Sequence, residues 1–471
     1  MKKTITRRIT AVIGATALGV LSAVSLALPA SAVGPDLDPN ASGSITIHKY
    51  EQPLTNGAPA DGTEQTVPAT HVPIDGVVFS ITPVTGVDLT TNAGWTTAKT
   101  LSEALAADPL ALPTPLGTPQ TLPATVGGDT TIGSLPLGLY LVQEVSAPAN
   151  VVSKAAPFLV TVPLPTTGAA ADWNYNIHVY PKNAVAGTPT KSVDDSGKFA
   201  LGSTVTWTVG STVPVFADRA ELVSYVITDT LDSRLSYTAP ARISLDGTAL
   251  SAADVTISTT NPVTVTFTPT GLDKLMAAPN GALSLEIDTV VTGTGSIVNT
   301  ALVNVNGIES ETNPATTSWV PVEITKVDGD NQAPLAGAVF AVYTTQTGGT
   351  ALSFPGGITE FTSDSTGKIT IPGLKAGEVY WLEEVTAPTG YFGLGERVRV
   401  PGSGTLAAVP GVNTGELVTY TQTVANDKIP AWMLPLTGST GTLLFALGGG
   451  ALVAVAIGAA LVVSRKKKAL A

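Results

Sequence analysis

Two pairs of short segments, repeated in the same order, decide how this chain folds. Residues 73–81 read PIDGVVFSI and residues 334–342 read PLAGAVFAV, while residues 140–148 read YLVQEVSAP and residues 380–388 read YWLEEVTAP. Apolar side chains alternate along each segment, which is the pattern of a β-strand with one buried face. Two matches in one order indicate that a single domain type occurs twice in the chain.

Each repeat lies between a lysine on an alternating strand and an asparagine, and its second segment carries a glutamate. Lys49 ends the stretch ITIHK and Lys326 ends the stretch VEITK. The two repeats therefore supply two sets of the same three residue types in apolar surroundings: Lys49, Glu144 and Asn183 in the first, and Lys326, Glu384 and Asn426 in the second.

The first repeat is longer than the second, and an insertion around residues 85–128 accounts for the difference. We predict a short helix in this insertion, Thr97–Ala107, which ends before Pro109 because proline cannot continue a helix.

A segment of different sequence, residues 188–318, separates the two repeats. Alternation in Thr204–Val209 and in Val263–Thr268 indicates strands here as well. This segment contains a third set of similar residue types: Lys191, Asp229 and Asn299.

The composition fits strands that are joined by tight turns. The chain has 471 residues, 47 of them glycine and 35 proline, and only 13% are charged. That length suffices for about three domains. Together, the composition, the length and the alternating pattern predict an all-β fold. We expect three tandem β-sandwich domains at residues 41–184, 188–318 and 321–430.

The charge balance and the cysteine count exclude several functions. The net charge is −12, and both ends of the chain are basic, so the body is more acidic still and disfavours nucleic-acid binding. The absence of cysteine removes disulfides, a cysteine nucleophile and thiolate metal sites. The three histidines, His48, His71 and His178, lack zinc-site spacing. No metal and no cofactor are predicted.

The first residues, 1–32, have the features of a secretory signal peptide. Four basic residues lie within residues 1–8, an apolar stretch follows at Ala11–Leu28, and Ala30-Ser31-Ala32 is a small-residue cleavage site. Pro29 argues against the alternative of a membrane anchor. The chain is therefore predicted to be secreted.

The last residues, 434–471, carry three signals in a fixed order. Leu434-Pro435-Leu436-Thr437-Gly438 comes first, Thr440–Val463 is apolar and long enough to cross a bilayer as a helix, and the basic run Arg465–Lys468 stays cytoplasmic. This order resembles the LPxTG cell-wall sorting signal of Gram-positive surface proteins. The resemblance implies that a membrane sortase cleaves between Thr437 and Gly438 and passes the Thr437 carbonyl to an amine.

The chain as a whole resembles the major pilins of Gram-positive bacteria, which form the pilus shaft from immunoglobulin-like and CNA-B-like sandwich domains. The resemblance covers nearly all of residues 41–471. Val179-Tyr180-Pro181-Lys182 matches the pilin motif, whose lysine joins subunits, although the preceding Trp173–His178 matches loosely. The pilin E-box is matched, with Val385 in place of its usual threonine, by Tyr380, Leu382, Glu384, Ala387, Pro388, Gly390 and Tyr391.

This resemblance implies that the three polar sets form Lys–Asn isopeptide bonds. Burial lowers the pKa of a lysine toward the neutral amine that attacks. The asparagine supplies its carboxamide carbon and loses ammonia, while a buried acid relays protons. The relaying acids are Glu144, Asp229 and Glu384. The glutamate of the first set, Glu144, lies in a segment that matches the E-box less well, because Val142 replaces leucine and no Gly-Tyr pair follows Pro148.

The resemblance also implies how subunits assemble. A pilin-specific sortase joins Thr437 of one copy to Lys182 of the next, and a housekeeping sortase attaches the polymer to peptidoglycan. Accessory pilins and host surface receptors are the other expected partners, in keeping with surface adhesion. Strand alternation predicts that Lys182 points away from Asn183 and out to the incoming enzyme. A groove near the domain boundary at residues 185–188 is expected to receive the C-terminal peptide of a neighbour.

Two other functions stay open at this point. A monomeric cell-wall-anchored adhesin with a sandwich stalk shares the signal peptide, the sandwiches and the sorting motif, and the pilin lysine argues against it. An enzyme needs a histidine beside a serine nucleophile; His48 and His178 could be neighbours, but we interpret them as surface strand residues. The acidic turn Asp328–Asn331 suits an ordinary turn as well as calcium.

Overall fold

A computed structural model of the chain describes residues 35–166, 172–407 and 419–430. The predicted signal peptide, 1–32, and the predicted sorting signal, 434–471, lie outside these residues. Within the described ranges, no helix is long and apolar enough to cross a membrane.

The chain divides into two compact units, and the predicted boundaries of three domains stay a prediction. The first unit extends to Ser196 and also contains Thr204–Val291 and Ile297–Thr317. The second unit contains Gly197–Ser203, Thr292–Ser296 and the chain from Ser318 onward.

Short strands up to residue 185 form sheets around a main core, beside which a smaller one lies. Their order across the sheets is β11-β1-β5, β4-β3-β6-β8, β2-β12-β7 and β10-β9. Ile45 and Ile47 alternate inward from β1 and pack with Phe79, Val142 and Ile177. The strands are β1 (Ser42–His48), β2 (Tyr50–Glu51), β3 (Val78–Val84), β4 (Gln120–Thr121), β5 (Asp129–Pro136), β6 (Gly138–Ser146), β7 (Val151–Ser153), β8 (Phe158–Val162), β9 (Leu164–Pro165), β10 (Trp173–Asn174), β11 (Asn176–Val179) and β12 (Lys182–Val185).

The insertion between β3 and β4 holds the helix α1, Asn92–Ala107. The predicted start at Thr97 is wrong, whereas the predicted end is correct. The helix begins earlier because Thr91 caps it: the Thr91 side-chain oxygen accepts a hydrogen bond from the Gly94 N–H at 3.0 Å. Ala98 and Leu105 face inward and pack in a second small core.

Two five-stranded sheets follow, in the orders β13-β14-β20-β16-β17 and β18-β19-β15-β22-β23. Trp207, Tyr225 and Ile227 are buried here. The elements are β13 (Thr190–Asp194), β14 (Thr204–Thr212), a 3-10 helix (Arg219–Glu221), β15 (Tyr225–Asp229), β16 (Leu235–Leu245), β17 (Thr248–Ala249), β18 (Val255–Ile257), β19 (Val263–Phe267), α2 (Pro269–Ala277), β20 (Ala282–Val291), β21 (Gly295–Asn299), β22 (Ala301–Val305) and β23 (Ile308–Glu311).

The last part of the chain again pairs two sheets around a core that includes Ile324, Phe340 and Leu382. Strand β24 pairs with β27 in antiparallel and with β30 in parallel orientation, and the other sheet has the order β26-β25-β28-β29. The all-β prediction is therefore confirmed. The elements are β24 (Ala315–Asp328), β25 (Val339–Tyr343), a 3-10 helix (Pro355–Gly357), β26 (Glu360–Thr362), β27 (Lys368–Lys375), β28 (Tyr380–Thr386), β29 (Val398–Val400) and β30 (Tyr420–Asn426).

Candidate functional site

The first predicted set comes together in the core of the N-terminal sheets. Lys49 directly follows β1, Glu144 lies on β6 and Asn183 lies on β12. The Lys49 ammonium donates a hydrogen bond to Asn183 Oδ1, and its Nζ lies 3.0 Å from Glu144 Oε2. The Asn183 Nδ2 donates to Glu144 Oε1 at 2.7 Å. The three side chains therefore form a closed triangle of polar contacts.

Lys49 has an environment that favours its neutral form. Its side chain is 0% exposed and that of Glu144 is 1% exposed. Burial lowers the pKa of Lys49 to about 8, although the neighbouring Glu144 acts in the opposite direction. The Phe79 ring centroid lies 5.9 Å from the lysine nitrogen. Much of this lysine is therefore an uncharged amine near pH 8, which is the state that attacks a carbonyl carbon.

The second predicted set is also assembled. Lys191 on β13 and Asp229 at the end of β15 form an ion pair whose side chains are both fully buried. Asn299, at the end of β21, is 3% exposed and lies near Asp229, although Asn299 Nδ2 and Asp229 Oδ1 have no hydrogen-bond partner among the described residues. Burial lowers the pKa of Lys191 and raises the pKa of Asp229. Both shifts favour a neutral amine beside a protonated acid.

In the third predicted set the amide donates hydrogen bonds to the acid, whereas the lysine donates to main-chain carbonyl oxygens. Asn426 Nδ2 donates to both carboxylate oxygens of Glu384, at 2.7 and 2.9 Å. Lys326 on β24 is fully buried, and its ammonium donates to the carbonyl oxygens of Val424 at 3.2 Å and Val327 at 3.3 Å. Burial lowers the pKa of Lys326, and nearby Glu384 opposes this effect.

The Gly-Tyr pair of the E-box stabilises the turn that follows β28. Gly390 has a φ of +89°, which a residue with a side chain rarely adopts. The hydroxyl of Tyr391 donates to Asp328 Oδ2 at 2.7 Å. The backbone N–H of Leu394, farther along, donates to Glu384 Oε2 at 2.8 Å. The turn thus helps to fix the orientation of the Glu384 carboxylate.

Lys182, the predicted intersubunit lysine, lines a cavity of about 410 Å³. It begins β12, where Asn183 is buried and Lys182 is half-buried. Burial lowers the pKa of Lys182. The wall opposite is the loop after β2, which the Tyr180 hydroxyl holds by accepting a hydrogen bond from the Gln65 N–H at 2.6 Å. The other lining residues include Tyr50, Val67, Pro68 and His71.

The position of this loop beside Lys182 was not predictable from the sequence. Its composition, rich in Gly, Pro and Ala between Pro53 and Pro68, indicated only a turn-rich connection. A side-chain contact across 115 positions, such as that between Gln65 and Tyr180, has no local signature in the sequence.

His48 and His178 are neighbours, and the interpretation of His48 as a surface residue is wrong. His48 is 8% exposed, because it lies between Asp129 and His178 and beneath the Tyr180 ring. Its Nδ1 lies 2.8 Å from Asp129 Oδ1 and its Nε2 lies 2.9 Å from His178 Nδ1. These ring nitrogens are thus engaged with a carboxylate and with each other.

The acidic turn at Asp328 satisfies its carboxylate internally. Asp328 accepts hydrogen bonds from the Asp330 N–H at 2.8 Å and from Tyr391. Across the residues that the structure describes, no group of three or more His, Asp or Glu side chains is arranged to hold a metal ion. The residues of the sorting motif, Leu434, Pro435, Leu436, Thr437 and Gly438, lie outside the described residues.

Comparisons with known proteins agree with this architecture. Residues 40–184 match the family described as Gram-positive pilin subunit D1, N-terminal domain, and residues 320–407 match the prealbumin-like fold domain. The fimbrial subunit type 2 of Actinomyces naeslundii is 33% identical, over 99% of this chain and 97% of that protein. The fimbrial subunit type 1 of Actinomyces viscosus is 30% identical, over 91% of each.

A solved structure is similar over most of its length. The full-length major pilin SpaD from Corynebacterium diphtheriae is 25% identical and superposes with a TM-score of 0.68, covering 84% of this chain and 99% of that one.

Proposed function

The chain belongs to the fimbrial subunit family of Gram-positive bacteria, and from this premise we propose how its copies are joined and stabilised. As a major pilin, the chain is a structural subunit of a cell-surface pilus and not an enzyme. It polymerises with other pilin subunits. The proposal is that a sortase links the Thr437 carbonyl of one subunit to the Lys182 amine of the next. Subunits then stack head to tail, an open arrangement that makes a filament.

The environment of Lys182 is the observation that carries this proposal. Its amine is half-buried at the rim of a cavity, and burial lowers its pKa, so the neutral form that attacks a thioester is more accessible than in an exposed lysine. The cavity volume, about 410 Å³, lies within the usual range of pockets that bind small ligands. Its apolar and aromatic walls suit the extended segment Leu434-Pro435-Leu436-Thr437 of a neighbouring subunit.

We further propose that each of the three polar sets condenses into a Lys–Asn isopeptide bond. Burial of the lysine and the amide of each set supports this, because an unreacted buried ammonium is costly. The contacts of Lys49 with both Glu144 and Asn183 give the strongest geometric support. A bond between Lys326 and Asn426 ties β24 to β30, the first and last strands of the C-terminal sheets.

The remaining proposals follow from the sorting signal. Housekeeping sortase attaches the base of the polymer to peptidoglycan, accessory pilins join the shaft, and the assembled pilus supports surface adhesion. The attachment to peptidoglycan uses Thr437 as the acyl donor.

The test is expression of the chain with its cognate pilin sortase, followed by electrophoresis of boiled cell-wall extract. Wild type should give a ladder of high-mass species. Lys182→Ala should abolish the ladder while leaving monomer attached to the wall through Thr437. The matched control is Lys154→Ala, an exposed lysine of the same region, which should leave the ladder intact.

Two results would contradict the proposal. A single wild-type band in the presence of the cognate sortase identifies a monomeric wall-anchored adhesin. An undiminished ladder from Lys182→Ala shows that another lysine makes the joint.

A further inference from the structure

The side-chain oxygen of Asn183 accepts a hydrogen bond from a backbone N–H group. The backbone N–H of Ala155 donates a hydrogen bond to Asn183 Oδ1 at 2.7 Å. We propose that this N–H is an oxyanion donor for the condensation of Lys49 with Asn183. The inference rests on the proposed isopeptide function and adds a catalytic group to it.

The N–H of Ala155 also fixes which way the carboxamide faces. An N–H cannot donate to an NH₂ group, so Oδ1 must point at Ala155, and Nδ2 must then point at Glu144 Oε1, 2.7 Å away. The other oxygen of Glu144, Oε2, lies 3.0 Å from Lys49 Nζ. Oδ1 therefore accepts hydrogen bonds from both the Ala155 N–H and the Lys49 amine, Nδ2 donates to Glu144 Oε1, and Nζ lies within ion-pair distance of Glu144 Oε2.

This arrangement suits every proton transfer that the condensation needs. The reactive state has a neutral Lys49 amine and a protonated Glu144. The Nζ lone pair attacks Asn183 Cγ, and the carbonyl π pair moves onto Oδ1, where negative charge develops against the Ala155 N–H. Glu144 gives its proton from Oε1 to the leaving Nδ2 and takes one from Nζ at Oε2. The C=O bond re-forms as the Cγ–Nδ2 bond breaks, and ammonia leaves.

The sheet positions this donor. Ala155 follows β7, which pairs with β12 so that Ser153 faces Ala184, the residue after Asn183. The pairing brings the loop between β7 and β8 against the Asn183 side chain. Ala155 itself is partly buried, whereas the next residue, Ala156, is exposed.

The C-terminal set lacks this feature among the described residues. Within 35–166, 172–407 and 419–430, Asn426 Oδ1 has no hydrogen-bond partner. The N-terminal set, whose E-box is the weaker one in sequence, is thus the set with the more complete contacts to the reacting atoms.

The experiment compares the rate of bond formation in full-length mature chains that differ only at this N–H. Ala155→Pro removes the N–H, and Ala156→Pro is the control because it leaves the Ala155 N–H in place. Chains are sampled at intervals after synthesis, and peptide mass spectrometry reads the Lys49–Asn183 cross-link. The rates at which the other two cross-links form in the same molecule serve as internal references. Loss of one oxyanion donor should slow the N-terminal bond about 100-fold.

A second variant removes the N–H without a proline ring. An ester replaces the amide between Lys154 and Ala155 in a chain assembled from fragments under denaturing conditions, and an all-amide chain assembled in the same way is its control. Both start unreacted, so refolding sets time zero. Hydrogen exchange of β1 and β12 verifies that each variant has folded.

The outcomes distinguish the role of the Ala155 N–H from the existence of the Lys49–Asn183 bond itself. Slow N-terminal bonding in the ester chain, with the other two bonds at normal rates, supports the role of Ala155. N-terminal bonding at the control rate in the ester chain overturns it. If the all-amide chain never loses ammonia from the N-terminal set, the proposed bond itself is wrong.

Discussion

The N-terminal and C-terminal repeats use the same three residue types on corresponding strands, but their contacts differ. Lys49 contacts both Glu144 and Asn183, whereas the ammonium of Lys326 donates to main-chain carbonyls. In the C-terminal repeat, Glu384 is instead held by Asn426 and by the Leu394 N–H. The stronger sequence motif therefore accompanies a better-anchored acid, and the weaker motif accompanies a more complete triangle around the amide.

The two proposed bonds also differ in their place along the chain. Under the proposed linkage, tension enters at Lys182 and leaves at Thr437. Lys326 and Asn426 both lie between those points, so their bond shortens the path of the load. Lys49 lies before Lys182, so most of the N-terminal repeat is outside that path. The N-terminal bond then ties a domain to the shaft, while the C-terminal bond carries tension.

Single-molecule stretching gives the largest expected difference between the repeats. The chain has no native cysteine, so Lys182→Cys and one cysteine added after residue 430 provide both attachment points. In this background Glu384→Gln, which removes the proton relay, should add up to about 330 Å of extension, since about 100 residues become free to extend at ~3.3 Å each. Glu144→Gln should add none.

The matched control for the stretching experiment is Glu383→Gln. Glu383 neighbours Glu384 on β28 but pairs with Arg397 instead, with Oε2 2.6 Å from Arg397 Nη2. It should extend like the parent chain. Equal extra extension from Glu144→Gln and Glu384→Gln would contradict the proposed path of the load.

The titration of Lys49 gives an effect of intermediate size. Asn183→Ala prevents the bond and leaves Lys49 as a free buried amine whose pKa is about 8 in the folded state, against about 10.4 in an unfolded chain. Between these values the unfolded state binds more protons, so the free energy of unfolding must rise with pH. We expect a gain of up to about 3 kcal/mol from pH 8 to 10.5.

Hydrogen exchange of β1 and β12 measures this dependence for the N-terminal repeat alone. In the wild type the bonded nitrogen no longer titrates, so the same strands should lack this rise. A free energy of unfolding that falls over this pH range in Asn183→Ala would contradict the burial of a neutral lysine.

Tyr391→Phe gives the smallest effect and tests what the E-box Gly-Tyr pair does. It removes the hydrogen bond to Asp328 and should lower the free energy of unfolding of the C-terminal repeat by about 1 kcal/mol. Ammonia loss from this repeat should be unchanged, because the acid and the amide are untouched. Failure to form the Lys326–Asn426 bond in a folded Tyr391→Phe chain would mean that the tyrosine takes part in the chemistry.

The strands were predictable from sequence because one buried face imposes a period of two, as in Ile45, Ile47 and Ile324. The lysines and acids of the first and third sets were predictable because the two repeats place them at corresponding positions, whereas the middle set followed from the resemblance to pilins. The start of α1 was not, because the cap at Thr91 depends on a single hydrogen bond rather than on a periodic pattern. The Ala155 donor was invisible, since every residue except proline carries the same N–H.

The burial of His48 was missed for a related reason. Because His48 is the last residue of β1, the sequence does not show whether its side chain is buried or exposed. Only the parallel pairing of β1 with β11 brings it beside His178. Long-range pairing of this kind leaves no mark on neighbouring residues.

Under the proposed chemistry, the folded chain joins its own lysines to its own asparagines and loses one ammonia for each bond. Intact mass spectrometry of the purified, folded mature protein measures this loss. The mass should lie below that of the sequence by three molecules of ammonia, and by two in either Glu144→Gln or Glu384→Gln after correction for the substitution. Full sequence mass in correctly folded wild-type protein would contradict the proposed chemistry.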